Sequence, residues 1–363
     1  MIVLGIESSC DEMAVAVVED GVKILSNVIA SQASLHEKTH GVFPETAARE
    51  HIHLFLPAIR EALREANLSP EAIDKIAVAN GPGLIGSLLI GVNVAKSLAL
   101  AWNKPLVGVN HVEAHLYAAM MRETPLFPSI GLVISGGHTL LLRIPEIGVY
   151  ETIGTTVDDA VGEAFDKVAT LLGLPYPGGP AIEALAKEGD PSRYLFKPGR
   201  VKNQSWNFSF SGLKTQVLYA LKGQNGSKEA LTLLPVSEKS HLAASFQETA
   251  LKNLVSKVEE ALSHFPSKAV YIGGGVSNNE RLRLLFSQAN LPVPLYFPGK
   301  NLSLDNAAMI AGLGFFVPVE VQGQAPAAIK GQALGTIQGL DLEVCPTLHS
   351  LQSARQDAVF SRG

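Results

Sequence analysis

The sequence predicts an α/β protein made of two similar halves, because the same order of short apolar segments occurs twice. In the first half, three strand-like segments separated by polar turns cover residues 2–6, 14–18 and 22–29. The second half repeats this order at residues 129–135, 139–144 and 149–153, followed by a helical segment from about 157 to 172. Two successive β-β-β-α-β-α units indicate a duplicated fold of two lobes with a cleft between them.

The segments between these strands complete each unit. The first half continues with a helix at 44–66, a strand at 75–79, an apolar helix at 84–102, a strand at 106–109 and a helix that starts at His111. In the second half, a long amphipathic helix at about 239–264 precedes a strand at 269–272. Strand-rich halves with glycine turns fit the architecture of actin, hexokinase and the Hsp70 ATPase, in which hairpin turns offer backbone N–H groups to phosphate.

This architecture predicts where the lobes begin and end. We expect an N-terminal lobe of residues 1–126, completed by a returning helix at about 304–317, and a C-terminal lobe of residues 127–303. Residues 318–363 are rich in Gly, Gln and Pro and have few apolar pairs. They predict a C-terminal extension that is extended or partly disordered.

The composition narrows the class of protein. Of 363 residues, 47% are hydrophobic and 17% are charged, which argues against disorder. The net charge of −5 gives no overall attraction to nucleic acid, so such binding needs a local basic patch.

The chain has only two cysteines, Cys10 and Cys345, which argues against a disulfide framework. Because the chain starts with a strand rather than a signal peptide, and the helix at 84–102 is marginal in length for a membrane span, we expect a soluble cytoplasmic protein.

The most informative motif is a pair of histidines four residues apart at the start of a predicted helix. His111 and His115 share one helix face, so their imidazoles can hold one metal ion. A zinc-protease motif needs a glutamate next to the first histidine, whereas Glu113 stands two residues after it and faces elsewhere. The pair therefore indicates a metal site of another type, with two partly exposed helix histidines as the alternative.

A candidate third ligand stands far away in the sequence. Asp305 lies near the start of an apolar helix, where it would serve either as an N-terminal cap or as a metal ligand. Two histidines and one carboxylate form the open set associated with Fe(II), which zinc also accepts.

Turn residues mark further candidate sites. The segment GPGLIG at 81–86 matches a dinucleotide-binding fingerprint, but the next strand ends without the expected acid, so close helix packing is the better interpretation. The segment SGGHT at 135–139 forms a turn between strands and would let a phosphate or carboxylate approach the backbone. The segment GGGVSNN at 273–279 follows a strand and is a candidate adenosine site, with a plain strand-to-helix loop as the alternative. The turn ESSCDE at 7–12 places polar groups between apolar strands, which is costly unless they are solvated or bound. Cys10 within it is interpreted as a small buried thiol rather than a nucleophile.

The order of these motifs resembles that of a known family. The motifs occur in sequence as ESSCDE at 7–12, GPGL at 81–84, NHVEAH at 110–115, SGGHT at 135–139, DDAVGEAFDK at 158–167, PGGP at 177–180, FSFSGLK at 208–214, GGVS at 274–277 and DN at 305–306. Over roughly residues 1 to 316 the chain resembles the TsaD family, the tRNA threonylcarbamoyladenosine transferases once called O-sialoglycoprotein endopeptidases. The resemblance implies an actin-like, two-lobed fold.

The resemblance also implies an activity. Members of this family transfer a threonylcarbamoyl group from threonylcarbamoyl-adenylate to the exocyclic amine of the adenosine 3′ of the anticodon, in tRNAs that read codons beginning with A. Bacterial members work with an inactive actin-like paralogue, TsaB, and a small ATPase, TsaE. A non-catalytic, nucleotide-binding or regulatory actin-like module is the alternative.

Site residues follow from the same resemblance, position by position. His111, His115 and Asp305 would hold one metal ion, usually Fe(2+), with zinc or magnesium as possible substitutes. Asp11 and Glu12 are candidates for proton handling. The substrate adenylate would contact nine residues: Ile134, Ser135, Gly136, Gly137, His138, Asp166, Gly179, Glu183 and Asn279.

The chain departs from the usual family pattern at four positions: His40, Ala114, Asn278 and Ala307. These changes are small or peripheral, so the expected activity stands. Lys197, Arg200, Lys202 and Lys214 form a possible basic patch for tRNA, with a solvated charged face as the alternative. The apolar helix at 84–102 is a candidate docking surface for the paralogue, with burial inside the lobe as the alternative.

Overall fold

The computed structural model describes residues 1–31, 44–222, 234–319 and 339–347 of the chain. They fall into two compact units. The first comprises the described residues of Met1–Thr124 and Gly299–Ser350, and the second comprises the described residues of Pro125–Pro298. His40 lies outside the described residues.

The strands and helices follow in chain order. The strands are β1 (Ile2–Glu7), β2 (Met13–Glu19), β3 (Lys23–Ala30), β4 (Lys75–Gly81), β5 (Leu106–Asn110), β6 (Ser129–Ile134), β7 (Thr139–Glu146), β8 (Val149–Thr155), β9 (Val270–Gly273) and β10 (Leu295–Tyr296). The helices are α1 (Pro44–Ala66), α2 (Ile85–Trp102), α3 (His111–Met120), α4 (Val161–Leu172), α5 (Gly178–Ala186), α6 (Ser211–Lys222), α7 (Val236–His264), α8 (Glu280–Gln288) and α9 (Ala307–Phe316).

Each unit contains a mixed five-stranded sheet with the same connectivity. The first sheet has the order β3-β2-β1-β4-β5 and the second has the order β8-β7-β6-β9-β10. In both, the first three strands form an antiparallel meander, and the last two run parallel to the first strand of the unit. Helical crossovers precede the parallel strands, as a parallel connection requires. The duplicated α/β fold predicted from the repeated apolar pattern is therefore confirmed.

The first unit is arranged so that helices cover its sheet closely. β1 and β2 are buried along almost their whole length, and α9 packs directly on them. Gly5 makes this approach possible, because a Cβ atom there would lie 2.7 Å from the backbone nitrogen of Ala311. The start of α9 is thereby held close to the carboxyl end of β1.

The helix α2 lies within this unit and has an apolar, partly exposed surface. Among the described residues it alone is long and apolar enough to cross a membrane, a weak criterion that core helices also meet. Only 33% of it is buried, although it packs against α1 and β4.

One predicted helix starts later than expected. The sequence predicts a helix from about residue 157, but α4 begins at Val161. The reason is that the residues before it make other bonds. Asp158 accepts hydrogen bonds from the backbone nitrogen of Phe210 (2.8 Å) and from the hydroxyl of Ser211 (2.7 Å), which keeps it out of the helix.

Part of the C-terminal extension packs on the first unit. Leu340, Leu342 and Val344 lie against the core formed by the sheet and by α1 and α2. The backbone nitrogen of Cys345 donates to the carbonyl of Asn80 (2.6 Å) at the end of β4. This stretch is therefore an integral part of the first unit, whereas residues 320–338 and 348–363 lie outside the described part of the chain.

Candidate metal centre and substrate-binding turns

The two histidines stand on the first turn of α3, directly after β5. The side chain of Asn110 caps this helix and accepts hydrogen bonds from the backbone nitrogens of Val112 (2.9 Å) and Glu113 (3.2 Å). The helix therefore begins at His111, and His115 follows one turn later on the same face. The two imidazole centroids are 4.6 Å apart, and both side chains are buried.

Asp305 joins this pair from the start of α9. Its Oδ1 lies 3.2 Å from Nε2 of His115 and 3.6 Å from Nε2 of His111. The sequence left open whether Asp305 caps the helix, but the capping residue is Asn306, whose Oδ1 accepts from the backbone nitrogen of Met309 (3.1 Å). One ligand atom from each of His111, His115 and Asp305 lies within 4.8 Å of the others.

The donor atoms of this cluster fit a metal ion. Both ring nitrogens of His115 are buried and make no hydrogen bond of good geometry, an arrangement that is costly unless something binds there. His111 uses Nδ1 for contacts with Glu7 (2.9 Å) and Ser9 (3.1 Å), so its Nε2 remains on the side of Asp305. Two imidazole nitrogens and one carboxylate suit a first-row divalent cation with open coordination positions.

The electrostatics of the cluster also favour a cation. Burial by itself lowers the pKa of His111, but the carboxylates of Glu7 and Asp305 outweigh it and raise that pKa to about 9. An imidazolium is thus stabilised in a buried position by two carboxylates. A divalent ion would satisfy the same negative charges.

The acidic turn after β1 lies in the same unit. Burial, with a smaller contribution from the charge of Asp305, raises the pKa of Glu12 to about 7, and Ser31 donates a hydrogen bond to Glu12 (3.1 Å). Burial raises the pKa of the Cys10 thiol well above its usual value, mainly by disfavouring the thiolate. Such a thiol is a poor nucleophile, in line with its interpretation as a structural residue. Asp11 is half-buried beside them.

In the second unit, the turn after β6 offers open backbone. Ile134 ends the strand, and the turn is closed by the backbone nitrogen of Ser135, which donates to the carbonyl of His138 (2.9 Å). The nitrogen of His138 donates in return to Oγ of Ser135 (3.1 Å). A Cβ atom built on Gly136 or Gly137 would meet nothing within 4 Å. The two glycines therefore border open space.

The other predicted substrate residues of this unit either lie at the starts of two helices or accept hydrogen bonds from them. Asp166 accepts a hydrogen bond from the backbone nitrogen of Gly178 (2.7 Å) at the start of α5, while Gly179 next to it borders open space. Glu183 accepts from the backbone nitrogen of Glu280 (2.6 Å) at the start of α8. Burial raises the pKa values of Asp166 and Glu183.

Asn279 is already engaged by the protein. Its Oδ1 caps α8 by accepting from the backbone nitrogen of Leu282 (3.0 Å), and its Nδ2 donates to Gln247 (2.9 Å). The side chain is buried. Any contact of this residue with a ligand would therefore come from a side chain that is held in place by two hydrogen bonds.

The sequence did not indicate two residues that lie near the cluster of His111, His115 and Asp305. Glu7 and Ser9 belong to the polar turn that the sequence singles out, but nothing in the sequence connects them with His111, which is more than one hundred residues away. The available signal was weak. It consisted of a single carboxylate at the end of an otherwise apolar strand.

Gly83, in the glycine segment at 81–86, allows close packing against the turn that carries Ser9, in agreement with the packing interpretation of this segment. A Cβ atom on Gly83 would overlap the carbonyl oxygen of Ser9, and one on Gly91 in α2 would overlap Oγ of Ser8. The backbone nitrogen of Leu84 donates to the carbonyl of Ser9 (2.7 Å). These glycines bring α2 and its leading loop against the turn that carries Ser9.

Solved structures with a similar fold were found at low sequence identity. One is full-length HypF in its phosphate- and nucleotide-bound form, with 15% identity, a TM-score of 0.57, and coverage of 86% of this chain and 54% of that chain. HypF from T. kodakarensis gives 17% identity and a TM-score of 0.58 over 86% of this chain and 47% of that chain. These likenesses concern the fold alone and identify it as actin-like.

Closer relatives were found by sequence. The family model of TsaD, tRNA N6-adenosine threonylcarbamoyltransferase, matches residues 23–312. A protein of that name from Protochlamydia amoebophila is 57% identical over 318 residues, 87% of this chain and 92% of the relative. Another from Chlamydia trachomatis is 50% identical over 317 residues, 86% of this chain and 92% of the relative. With a family model matching most of its length and relatives this similar, the chain belongs to the TsaD family of tRNA N6-adenosine threonylcarbamoyltransferases.

Proposed function

We propose that this transferase moves the threonylcarbamoyl group of threonylcarbamoyl-adenylate to the exocyclic amine of the adenosine 3′ of the anticodon in tRNAs that read ANN codons. The observation that carries the proposal is the cluster of His111, His115 and Asp305, in a chain whose relatives bear the name of this activity. A non-catalytic module has no physical reason to keep two buried imidazoles and a carboxylate together, so that alternative is not favoured.

We further propose that the cluster holds one Fe(2+) per chain, with zinc or magnesium as possible substitutes. His111 and His115 would each provide Nε2, and Asp305 would provide a carboxylate oxygen. When bound, the ion would supply Lewis acidity toward the acyl-carrying group. The protein itself contributes a buried, preorganised donor set, since α3 and α9 fix the positions of all three side chains.

The adenylate would be bound by the turns of the second unit. Open space beside Gly136, Gly137 and Gly179 supports this role, since a ligand can approach the backbone there without meeting a side chain. Ile134, Ser135 and His138 shape the first turn, while Asp166, Glu183 and Asn279 hold the starts of α5 and α8. The backbone nitrogens of Gly178 and Glu280 at these helix starts are already bonded to carboxylates, so the open glycine turn is the proposed place for the adenylate phosphate.

Glu12 is the better candidate of the two for proton handling. A pKa of about 7 lets its carboxylate accept a proton from the attacking amine at neutral pH and release it afterwards. Asp11 is adjacent in the turn and is proposed as a secondary candidate.

The partners proposed are tRNA, a TsaB-like paralogue and a TsaE-like ATPase, in the cytoplasm and without a membrane. The first unit carries an apolar surface suited to a protein partner. On α1 and α2, Ile52 (61% exposed), Leu56 (60%), Ile85 (57%) and Leu89 (43%) face outward. We propose this surface as the docking site of the paralogue.

The second unit contains a segment whose charged residues are all positive, which suits it to contact tRNA. Residues 191–222 contain no Asp or Glu, and Lys197, Arg200 and Lys202 are exposed within it. Lys214 is 3.4 Å from Asp159 and is therefore partly neutralised. We propose Lys197, Arg200 and Lys202 as contacts to tRNA phosphates, which would offset the net charge of −5.

Reconstitution tests the proposed reaction. The purified chain would be loaded anaerobically with Fe(II) and mixed with threonylcarbamoyl-adenylate, the partners and a tRNA of ANN specificity, and threonylcarbamoyl-adenosine would be measured by mass spectrometry of nucleosides. The matched control is the same tRNA with guanosine in place of the target adenosine, on which we expect no product. Absence of product on the natural tRNA with all partners present would contradict the proposal. Multiple turnover by the chain alone would contradict the need for partners.

The docking surface has a separate test. Leu56→Glu places a charge in the proposed interface and should abolish association with the paralogue while leaving the fold intact, as measured by analytical ultracentrifugation and thermal unfolding. The control is Leu195→Glu in the second unit, where the side chain is 88% exposed. Undiminished association of the Leu56 variant would place the interface elsewhere.

A further inference from the structure

The carboxylate of Glu7 is buried in a way that demands an explanation. Its side chain is 0% exposed at the end of β1, where a charged group is costly unless it is paired. Oε1 accepts a hydrogen bond from the backbone nitrogen of Ser9 (2.6 Å), and Oε2 lies 2.9 Å from Nδ1 of His111. Among the described residues, His111 is the one that forms an ion pair with Glu7.

We propose that Glu7 is a positioning residue that fixes the tautomer and orientation of His111 for metal binding. An ionised carboxylate can only accept hydrogen bonds, so Nδ1 of His111 must carry the proton in their contact. In the neutral imidazole the lone pair then lies on Nε2, the nitrogen 3.6 Å from Asp305. The inference rests on the proposed metal-dependent function and assigns to it a residue outside the ligand set.

The two histidines differ in a way that supports this role. His111 makes two contacts through Nδ1, whereas neither ring nitrogen of His115 has a hydrogen-bond partner of good geometry. His111 is therefore held in one orientation by the protein. A ligand histidine whose other nitrogen donates to a carboxylate is also a stronger base toward the metal.

Ser9 provides a second, weaker contact to the same nitrogen. Its Oγ lies 3.1 Å from Nδ1 of His111, and its carbonyl accepts from the backbone nitrogen of Leu84 (2.7 Å). The Ser9 hydroxyl carries no charge and can rotate, so it cannot by itself determine which ring nitrogen is protonated. This makes Ser9 a matched control for the carboxylate.

The experiment uses Zn(II) as a diamagnetic probe and the full chain labelled with ¹⁵N at histidine. Long-range ¹H–¹⁵N spectra report which ring nitrogen is protonated and which is bound, and His111→Gln identifies the signals of His111. Zn(II) affinity is measured by competition with a chelator for the parent and for Glu7→Gln, Glu7→Asp and Ser9→Ala. Thermal unfolding establishes that each variant is folded.

We expect His111 of the Zn(II) form to be protonated at Nδ1 and bound through Nε2. Glu7→Gln should weaken Zn(II) binding by about 10- to 100-fold, because a neutral amide can also donate to Nδ1 and so favour the wrong tautomer. Glu7→Asp should recover part of the loss, and Ser9→Ala should cost less than about threefold, since a neutral hydrogen bond contributes less than one to a charged group.

Three results would overturn the inference. Binding of zinc through Nδ1 of His111 would exclude the contact with Glu7 in the metal form. This measurement needs no variant of Glu7, so it decides the matter if Glu7→Gln does not fold. A folded Glu7→Gln with parental Zn(II) affinity would exclude the positioning role while leaving the metal site standing. A parent that binds no Zn(II) would overturn the metal site itself and the inference with it.

Discussion

The two units share one topology but use the equivalent turn in opposite ways. In each unit, a glycine from the loop after the fourth strand packs closely against the turn between the first two strands. Gly83 lies against the carbonyl of Ser9 in the first unit, and Gly274 lies against the carbonyl of Ile134, where the turn begins, in the second. In the first unit this turn carries buried carboxylate and hydroxyl groups that contact an imidazole. In the second it contains two glycines, Gly136 and Gly137, that border open space.

This difference between the two turns suits them to two kinds of ligand, a cation in the first unit and an anion in the second. A cation site needs acceptor atoms that are already in place and shielded from water, which the buried side chains of the first unit would provide under the proposed function. An anionic ligand needs backbone N–H groups without side chains in front of them, which the turn of the second unit would provide. The strand order is common to both, and only the turn residues and the following helix starts differ.

The largest effect that separates the units should come from His115→Ala. Loss of one of three metal ligands should weaken metal binding by more than about 100-fold and abolish transfer, since even residues one shell further out cost 10- to 100-fold. Metal content by mass spectrometry and transfer activity are the measurements. Adenylate binding by the second unit should persist in this variant. Full metal content with activity lost would contradict the assignment of His115 as a ligand.

Asp166→Ala is the corresponding experiment in the second unit, and it should change adenylate binding rather than metal binding. Removal of the carboxylate leaves the backbone nitrogen of Gly178 without its 2.7 Å acceptor and should loosen the turn that holds Gly179. We expect adenylate affinity to fall by roughly 10- to 100-fold, the size of a hydrogen bond to a charged group, with metal content unchanged. Calorimetric titration with a non-hydrolysable adenylate analogue measures it. Equal affinity in variant and parent would show that Asp166 is misplaced.

The metal-free protein should lose stability as the pH rises. The pKa of His111 in the folded chain is about 9, above its ordinary value of 6.5, so the folded state binds this proton more tightly than the unfolded state. The stabilisation is therefore fully present below about pH 6.5 and is lost as the pH rises through about 9, with a size on the order of 3 kcal/mol. Melting temperatures in the presence of a chelator measure it. His111→Gln is the control that should show a smaller decrease over this range, because the raised pKa of Glu12, about 7, still contributes to the decrease in both proteins. A parent whose melting temperature does not change between these pH values would refute the pairing with Glu7 and Asp305.

A matched pair of glycine variants sharpens the comparison of the two turns. Gly83→Ala would push a Cβ atom into the carbonyl of Ser9 and should cost about 1–3 kcal/mol in the free energy of unfolding. Gly137→Ala meets nothing within 4 Å, so its melting temperature should stay within about 1–2 °C of the parent while adenylate affinity falls. Equal destabilisation by both changes would mean that the second turn is not open.

The smallest effect concerns the C-terminal segment. Leu342→Ala removes a half-buried side chain packed on the first unit and should lower its free energy of unfolding by about 1 kcal/mol. The control Leu195→Ala, at a position 88% exposed, should have no measurable effect. Hydrogen exchange resolved by peptide would localise the change to the first unit. Faster exchange in the second unit instead would contradict the packing seen here.

Local patterns were sufficient for the elements themselves. The alternation of apolar residues predicted every strand of the two sheets except β10, which has only two residues, and α1 has the bounds that the periodicity indicated. The start of α4 was predicted four residues too early, because Asp158 is bonded to residues 210 and 211 on a distant segment. Similarly, the packing of Leu340 to Val344 on the first unit has no local signal, since it depends on a surface formed by β4, β5 and α2.

The sequence by itself determined the order of the elements, the spacing of His111 and His115 and, through the ordered motifs, the family. The tertiary structure decided which distant groups meet. It brought Asp305 to the histidines because α9 packs against α3 and β1, and it brought Glu7 to His111 because β1 and β5 end at the same edge of one sheet. Helix and strand periods depend on neighbours a few residues apart, whereas contacts across 104 positions depend on how whole elements pack, which no local pattern encodes.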